Sequence, residues 1–431
     1  MLDITFIREN PDVVRAALKN KNREGTVDLD RVLVLADERK MLAGQVAEIN
    51  RQRGVAADAR DADAGRKLKD DLKAAEERQQ AVEKELVAML IKIPNIPSVD
   101  TPVGPDESGN VVVREWGDIP TFSFAPKAHW DIGRDLGIID SEKAAEVSGA
   151  RFTYLKGDLA LMQFALIQFA MSVLTSQSEL EKVIAEAGLT AVPKPFVPVI
   201  VPVMIKKPVQ VRMARFMTPE EHYLFPEDDM MLVGSAEHTL GPLHMDETIT
   251  EDRLPLRYVG YSTAFRREAG SYGKDTKGIL RQHQFDKIEV ESFAKPEDGR
   301  VEQDFLVAVQ EYLMRQLKLP HRSVLICTGD MGFPDMRQID IETWMPGQDT
   351  YRETHSSDYV GGFQARRLNT KVKRADGSNE PVHMNDATIF AIGRTLIAIL
   401  ENYQQEDGTV AVPEVLRPFM AGKAKIEKVI L

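Results

Sequence analysis

The chain has 431 residues, a formal net charge of −12, 43% hydrophobic residues and a single cysteine. Such a length predicts two or three domains, and the acidic balance excludes a protein that coats nucleic acid indiscriminately, because phosphate binding rests on Lys and Arg. One cysteine excludes an internal disulfide and a multi-cysteine zinc site; Cys327, in the apolar run from Ser323, reads as a buried, inert thiol. No apolar run approaches the roughly 18 to 20 residues of a membrane span, and the stretch Met1 to Asn10 lacks the basic flank and apolar core of a signal peptide. A cytoplasmic protein without a membrane or DNA partner is expected.

In chain order, Asn10 is suited to cap a short helix with Pro11 at its first position and Val13, Val14, Ala17 and Leu18 on its apolar side. A longer helical pattern follows from Leu29 to Arg53, with Leu35, Leu42, Val46 and Ile49 on one stripe. Residues Gly54 to Gly65, rich in Ala, Asp and Gly, are expected to break it. The pattern then resumes at Leu68, Leu72, Ala75, Gln79, Val82, Leu86 and Met89, alternating spacings of four and three. This predicts an antiparallel coiled-coil hairpin over about 29–92, an arm about 35 Å long. Its pattern alone fits a dimerisation device or a spacer as well as a binding arm. Arg51, Arg53, Arg60, Arg66, Lys67 and Lys69 gather near its tip. Pro94 and Pro97 end it, and the stretch with Pro102, Gly104, Pro105 and Gly109 reads as a linker, giving an N-terminal unit over 1–100 and a body over 115–431.

Within the body, Leu254 to Phe265, Gln282 to Phe293 and Ser323 to Cys327 read as strands, and Thr395 to Tyr403 as a helix. Phe196 to Met204 is apolar, but Pro198 and Pro202 confine it to a sheet edge or a loop. The predicted class is α+β, with a largely antiparallel sheet behind an all-α arm.

The stretch Phe265 to Glu291 carries the most chemistry. Two strands flank a loop too long and too charged for a simple hairpin turn. Arg266 at the end of the first and Arg281 near the start of the second could bring two guanidiniums over one small area, where their bidentate donors suit phosphate oxygens. Phe285, four residues beyond Arg281, could stack on a base from the same face.

Phe265-Arg266-x-Glu268 and Arg281-x-His283-Gln284-Phe285 resemble motif 2 of the class II aminoacyl-tRNA synthetases, and specifically of the seryl enzymes. His129-Trp130, Val147 to Phe152 and Lys156 to Ala160 resemble that family's lead into motif 1. Phe363 to Asn369 and Gly393-Arg394-Thr395-Leu396 with Leu400 to Gln404 resemble its closing region and motif 3. The resemblance implies a class II catalytic domain with a tRNA-binding arm, working as a homodimer on L-serine, ATP, Mg2+ and tRNA(Ser), with tRNA(Sec) an open second acceptor. It implies that Arg266, Arg281 and Arg394 carry catalysis by charge and position, with Arg394 ahead of a helix. The implied ATP set adds Arg267, Glu268, Phe285, Glu353, Thr354, His355 and Ser356; Glu353 and Ser356 match the magnesium ligands. The implied serine set is Ser235, Ala236, Glu237, Arg266, Glu289 and Thr388, with Glu237 on the ammonium and Glu289 on the hydroxyl.

Departures ring the amino-acid pocket. Ser235 stands where threonine is usual, Asp386-Ala387-Thr388 where the family has Asn-Gly-Ser or Asn-Gly-Thr, and Asp358 to Gly362 also differ. His355 stands where serine is common. Competing readings are a ligase with a shifted amino acid or acceptor and a non-catalytic tRNA-binding paralogue.

Overall fold

The computed structural model describes the chain except residues 217, 270–274, 276, 430 and 431, and divides into two compact units, Met1–Pro97 and Ser98–Leu431. The first holds helices α1 (Ile4–Glu9), α2 (Pro11–Asn20), α3 (Leu29–Asp58) and α4 (Ala62–Leu90). Asn10 precedes α2, but its side-chain amide donates to the Phe6 carbonyl at 3.1 Å, so it closes α1 instead of capping α2. Asp28 and Asp61 cap α3 and α4 by accepting from backbone amides. The two helices have 30 and 29 residues, each about 45 Å long at 1.5 Å per residue.

The break between them is narrower than the sequence predicts. Both helices run through their glycines, and the turn is confined to Ala59–Asp61, with Arg60 left-handed at φ 54°. A side chain at Gly54 or Gly65 would meet nothing within 4 Å, so both face open surface. Packing along the hairpin outweighs the roughly 1 kcal/mol that a helical glycine costs. The seam is built from Val46, Ile49, Leu68, Leu72 and Ala75, and Arg31–Glu85 at 2.7 Å, Arg39–Glu83 at 3.4 Å and Arg78–Glu38 pair across it.

The second unit is built on eight strands, β1 (Val111–Trp116), β2 (Val197–Ile200), β3 (Leu256–Phe265), β4 (Gln284–Ala294), β5 (His321–Leu325), β6 (Arg337–Met345), β7 (Thr350–Gly361) and β8 (His383–Ala391). Their order is β1-β5-β6-β7-β8-β4-β3-β2, antiparallel throughout except β2, which runs parallel to β3 at the edge where Pro198 is tolerated. Helices α5 (Asp158–Leu174), α6 (Gly299–Gln316) and α7 (Ile392–Asn402) cover one face, and Leu166, Val290, Phe305, Leu313 and Leu396 share its core. Alternation then decides the other face. On β4, Ile288 and Val290 join the core, so Phe285, Lys287, Glu289 and Glu291 point the opposite way.

Two of the sheet's slips in register shape that face. β7 carries an extra residue, Thr354, between Glu353 and His355, and β8 an extra residue, Ile389, between Thr388 and Phe390. Buried side chains of α6 bind the carbonyls nearby. Gln310 donates to Ser356 O and Thr388 O, both at 2.8 Å, and Gln303 to Ser357 O at 2.9 Å.

The stretch predicted as a linker is instead packed into the second unit. Thr328 N donates to Pro102 O at 2.9 Å, and Cys327 N to Asn110 Oδ1 at 2.9 Å. Gly104 and Gly109 approach each other and the buried Cys327 so closely that a Cβ on either would lie 2.8 Å from the other's Cα. Among the described residues, no single helix is long and apolar enough to cross a membrane.

Candidate active site

On the open face, a cleft of about 290 Å³ lies between the facing ends of β3 and β4, the middle of β7 and the start of α7. Arg266 follows directly on β3; its Nε donates to Gly234 O at 3.2 Å and its guanidinium lies 5.3 Å from the Phe285 ring centre. Arg281, three residues ahead of β4 and not within it, donates to Glu268 Oε2 at 2.7 Å. Arg394 belongs to the first turn of α7 instead of preceding it, and its Nη1 reaches Glu353 O at 3.0 Å and Glu353 Oε1 at 3.1 Å. Four of the predicted ATP residues thus sit on two arginine–carboxylate pairs within one cleft.

Glu353 and Ser356 both line this cleft. Residues three apart on a regular strand face opposite sides; the extra Thr354 restores them to one. Half of the Glu353 side chain is exposed, so desolvation opposes its charge only in part, and Arg394, with Arg266 and Lys287 behind it, holds its carboxyl below the usual range. Thr354 also borders the cleft, although its hydroxyl donates to Ile341 O at 3.1 Å. Two predicted residues lie elsewhere. The slip turns His355 into the interior, against Phe390 and hydrogen-bonded to Thr354 Oγ1 at 2.8 Å, where burial lowers its pKa to about 3. The Arg267 guanidinium leaves the cleft and lies 5.9 Å from the Tyr223 ring centre.

The loop joining β3 to β4 includes residues 270–274 and 276, which lie outside the described residues. Its far end is fastened. His129 Nε2 accepts from Ile279 N at 3.1 Å, so the ring proton sits on Nδ1, 2.8 Å from Glu401 Oε1. Gly278, at φ +72°, passes so near this imidazole that a Cβ would overlap Nε2 at 1.9 Å. The His129-Trp130 and Glu401-Asn402 motifs therefore meet in space.

A second group of side chains adjoins the cleft. Ser235 Oγ donates to Glu289 Oε2 at 3.2 Å, Lys287 Nζ lies 2.7 Å from that oxygen, and Thr388 Oγ1 donates to Glu289 Oε1 at 3.4 Å. Thr388 and Ser356 share a hydroxyl contact of 3.2 Å, which joins this group to the cleft. Carboxylate oxygens of Glu237, Glu289 and Asp386 lie within 4.8 Å of one another. Ala236, fully buried, supplies backbone and packs with Leu240 and Val201. Burial opposes the charge on Glu237, but Arg215, whose Nε is 2.8 Å away, keeps its carboxyl well below the ordinary range.

The sequence of this chain matches the family model of the tRNA synthetase class II core domain (G, H, P, S and T) over residues 223–403, and that of the seryl-tRNA synthetase N-terminal domain over residues 1–97. It is 41% identical to a serine–tRNA ligase of Symbiobacterium thermophilum, with 97% of this chain and 98% of that relative covered. The chain belongs to the seryl-tRNA synthetase family. Its fold is similar to the crystal structure of seryl-tRNA synthetase from Pyrococcus horikoshii complexed with ATP, with a TM-score of 0.88, 34% identity and 100% of each chain covered. It is also similar to the cytoplasmic serine–tRNA ligase of Naegleria fowleri in complex with AMP, with a TM-score of 0.85, 30% identity and 100% and 99% of the two chains covered.

Where the chain departs from the family pattern, the departures touch one another. Asp386 and Asp358 are cross-strand neighbours on β8 and β7, and both meet the Arg215 guanidinium, at 3.2 and 3.1 Å. Ser235 keeps the hydroxyl, and Val360 is a core residue. Sequence reasoning singled out neither Arg215 nor Lys287 nor Asp340, which also lines the cleft. Lys287 had a signal, since it lies midway between Phe285 and Glu289 on the same face of one strand. Arg215 had none, being an isolated arginine after the short helix Lys207–Arg212.

Proposed function

We propose that this chain is a serine–tRNA ligase, activating L-serine with ATP to seryl-adenylate and transferring it to the 3′ end of tRNA(Ser). The observation that carries the reading is the junction of two sites through Ser356 and Thr388, a cleft lined by three arginines and their carboxylate partners on one side and a carboxylate and hydroxyl pocket on the other. Arg266 would hold the α-phosphate, Glu268 the adenine side, and Phe285 the adenine face, while Arg281 and Arg394 neutralise the outer phosphates. Glu237 would take the serine ammonium and Glu289, with Thr388 and Ser235, the hydroxymethyl group. A pocket built around a hydroxyl rejects analogues lacking one by leaving buried groups unpaired.

The serine carboxylate then attacks the α-phosphorus in line and pyrophosphate leaves; the tRNA ribose hydroxyl next attacks the carbonyl carbon and AMP leaves. No protein nucleophile is needed. Glu353 and Ser356 offer two hard oxygen donors to one side of the cleft and fit Mg2+, which when bound neutralises phosphate charge.

The arm would bind tRNA by shape and backbone. A homodimer is supported by apolar residues on the surface of the second unit, Leu161 and Phe164 on α5 and Val197 and Ile200 on the edge strand β2, the last 99% exposed. The cytoplasm is the proposed location. The reading is tested by ATP–pyrophosphate exchange with each of the twenty amino acids supplied singly. Exchange with serine alone is expected; exchange with another amino acid, or with none, overturns it.

A further inference from the structure

Behind the pocket lies a group of charges that the reaction itself does not use. Glu291 on β4, Asp386 on β8 and Asp358 on β7 are paired across neighbouring strands, so three buried carboxyl groups stand in one row, two residues deeper than Glu289 and Thr388. Glu237, at the start of the short helix Glu237–Leu240, and Asp335, in a loop, approach the same place. Arg215 is the cation among them: Nε lies 2.8 Å from Glu237 Oε1, Nη2 lies 3.1 Å from Asp358 and 3.2 Å from Asp386, and Nη1 lies 3.7 Å from Asp335. Its side chain is 16% exposed and those four carboxylates 10% or less.

One guanidinium cannot balance that many charges, and the surroundings sort them. Burial, and then the charge of Glu237, push the carboxyls of Asp386 and Glu291 well above the usual range, while Arg215 keeps Glu237 ionised and Asp386 hydrogen-bonds to it. The other groups facing Glu237 are His238, whose Nε2 is 3.8 Å from Oε1, and Lys287, already 2.7 Å from Glu289. The arginine and histidine contacts both fall on Oε1.

We propose that Arg215 is a positioning residue for amino-acid recognition: its fork, fixed on Asp386 and Asp358, grips Oε1 of Glu237 and so presents Oε2 to the substrate ammonium. This rests on the reading of Glu237 given above. Without the fork nothing keeps the charge on Glu237, and the proton that Asp386 directs at it can pass between the two carboxyls, whose oxygens lie within 4.8 Å of each other; a protonated or turned Glu237 spoils the ammonium site without touching the phosphate arginines.

The test is serine-dependent ATP–pyrophosphate exchange by the full-length parent, Arg215→Met, Arg215→Lys and Arg215→Met/Asp386→Asn. Arg215→Met should raise KM for serine about tenfold or more and leave KM for ATP within about twofold, since only ground-state and transition-state contacts to the amino acid are lost. Arg215→Lys should fall between it and the parent, and the added Asp386→Asn should recover part of the loss, because an amide cannot ionise and so confines the negative charge of the pair to Glu237. Should Arg215→Met not fold, as read by its melting curve, Arg215→Gln/Asp386→Asn against Arg215→Lys carries the same comparison. Serine and ATP KM values that move together, a fall in kcat alone, or no recovery in the double variant would assign Arg215 to general structure and overturn the proposal. A parent enzyme that does not exchange with serine overturns the proposed function first, and is visible before any variant is made.

Discussion

Asp386 occupies a position where the resemblance implies asparagine, and its surroundings account for the replacement. Buried to 2% exposure and facing Glu237, its carboxyl is pushed well above the usual range, and a protonated carboxyl offers one donor and one acceptor, as an amide does. Elsewhere in the second unit a buried group makes a prediction about pH. His383, hydrogen-bonded through Nδ1 to the Tyr359 hydroxyl at 2.8 Å, has its pKa lowered to about 4 by burial and by the charge of Arg366. The unfolded chain then binds a proton near pH 6.5 that the folded protein refuses until about pH 4, so this group's contribution to stability falls as pH drops through that window, by up to about 3 kcal/mol. His383→Gln should remove that dependence. Denaturant midpoints of parent and variant, compared at pH 7.0, 5.5 and 4.5, should converge as pH falls; a difference that stays constant with pH would disprove the assignment.

At the scale of elements, the site depends on how α6 supports two irregular strands. Gln310 holds the carbonyls of Ser356 and Thr388, the two residues that join cleft to pocket, and it is fully buried. Gln310→Leu would leave two buried acceptors without their donor, destabilising the unit by about 1 to 3 kcal/mol and raising the serine KM; chemical denaturation and exchange kinetics read the two effects separately. A variant as stable as the parent would show that the slips need no such tie. This is also where the sequence stops being informative. The strand–loop–strand of Phe265 to Glu291 was legible because alternation and loop composition mark it, and Phe285 and Glu289 share a cleft-side parity that the strand keeps. The hairpin was legible from its heptads, although its turn proved shorter than its glycines suggested. A one-residue slip has no composition, so His355 was expected in the cleft and is found in the core. Arg215 was invisible because its partners come from four segments far apart in the chain, Glu237, Asp335, Asp358 and Asp386.

For the whole molecule, the two units predict separable losses. The hairpin α3–α4 closes on itself through its own seam and ion pairs, and Arg31–Glu85 marks its base. Replacing residues 30–92 by a short linker should abolish tRNA charging and leave serine-dependent exchange within about threefold of the parent, because adenylate formation needs no RNA contact. Loss of exchange as well would make the hairpin structural. The extra residue at Thr354 has a consequence of another kind for a chain of this length. Everything the middle of the sheet shows to its substrates is set by counting: Glu353 lies on one side of the slip, and Ser356, Asp358 and their ladder partners on the other. Deleting one residue there would leave composition, charge and core volume almost unchanged, yet move one side of the slip out of step with the other. The sheet thus behaves like a reading frame, in which residue 354 tolerates a change of identity far better than a change of number.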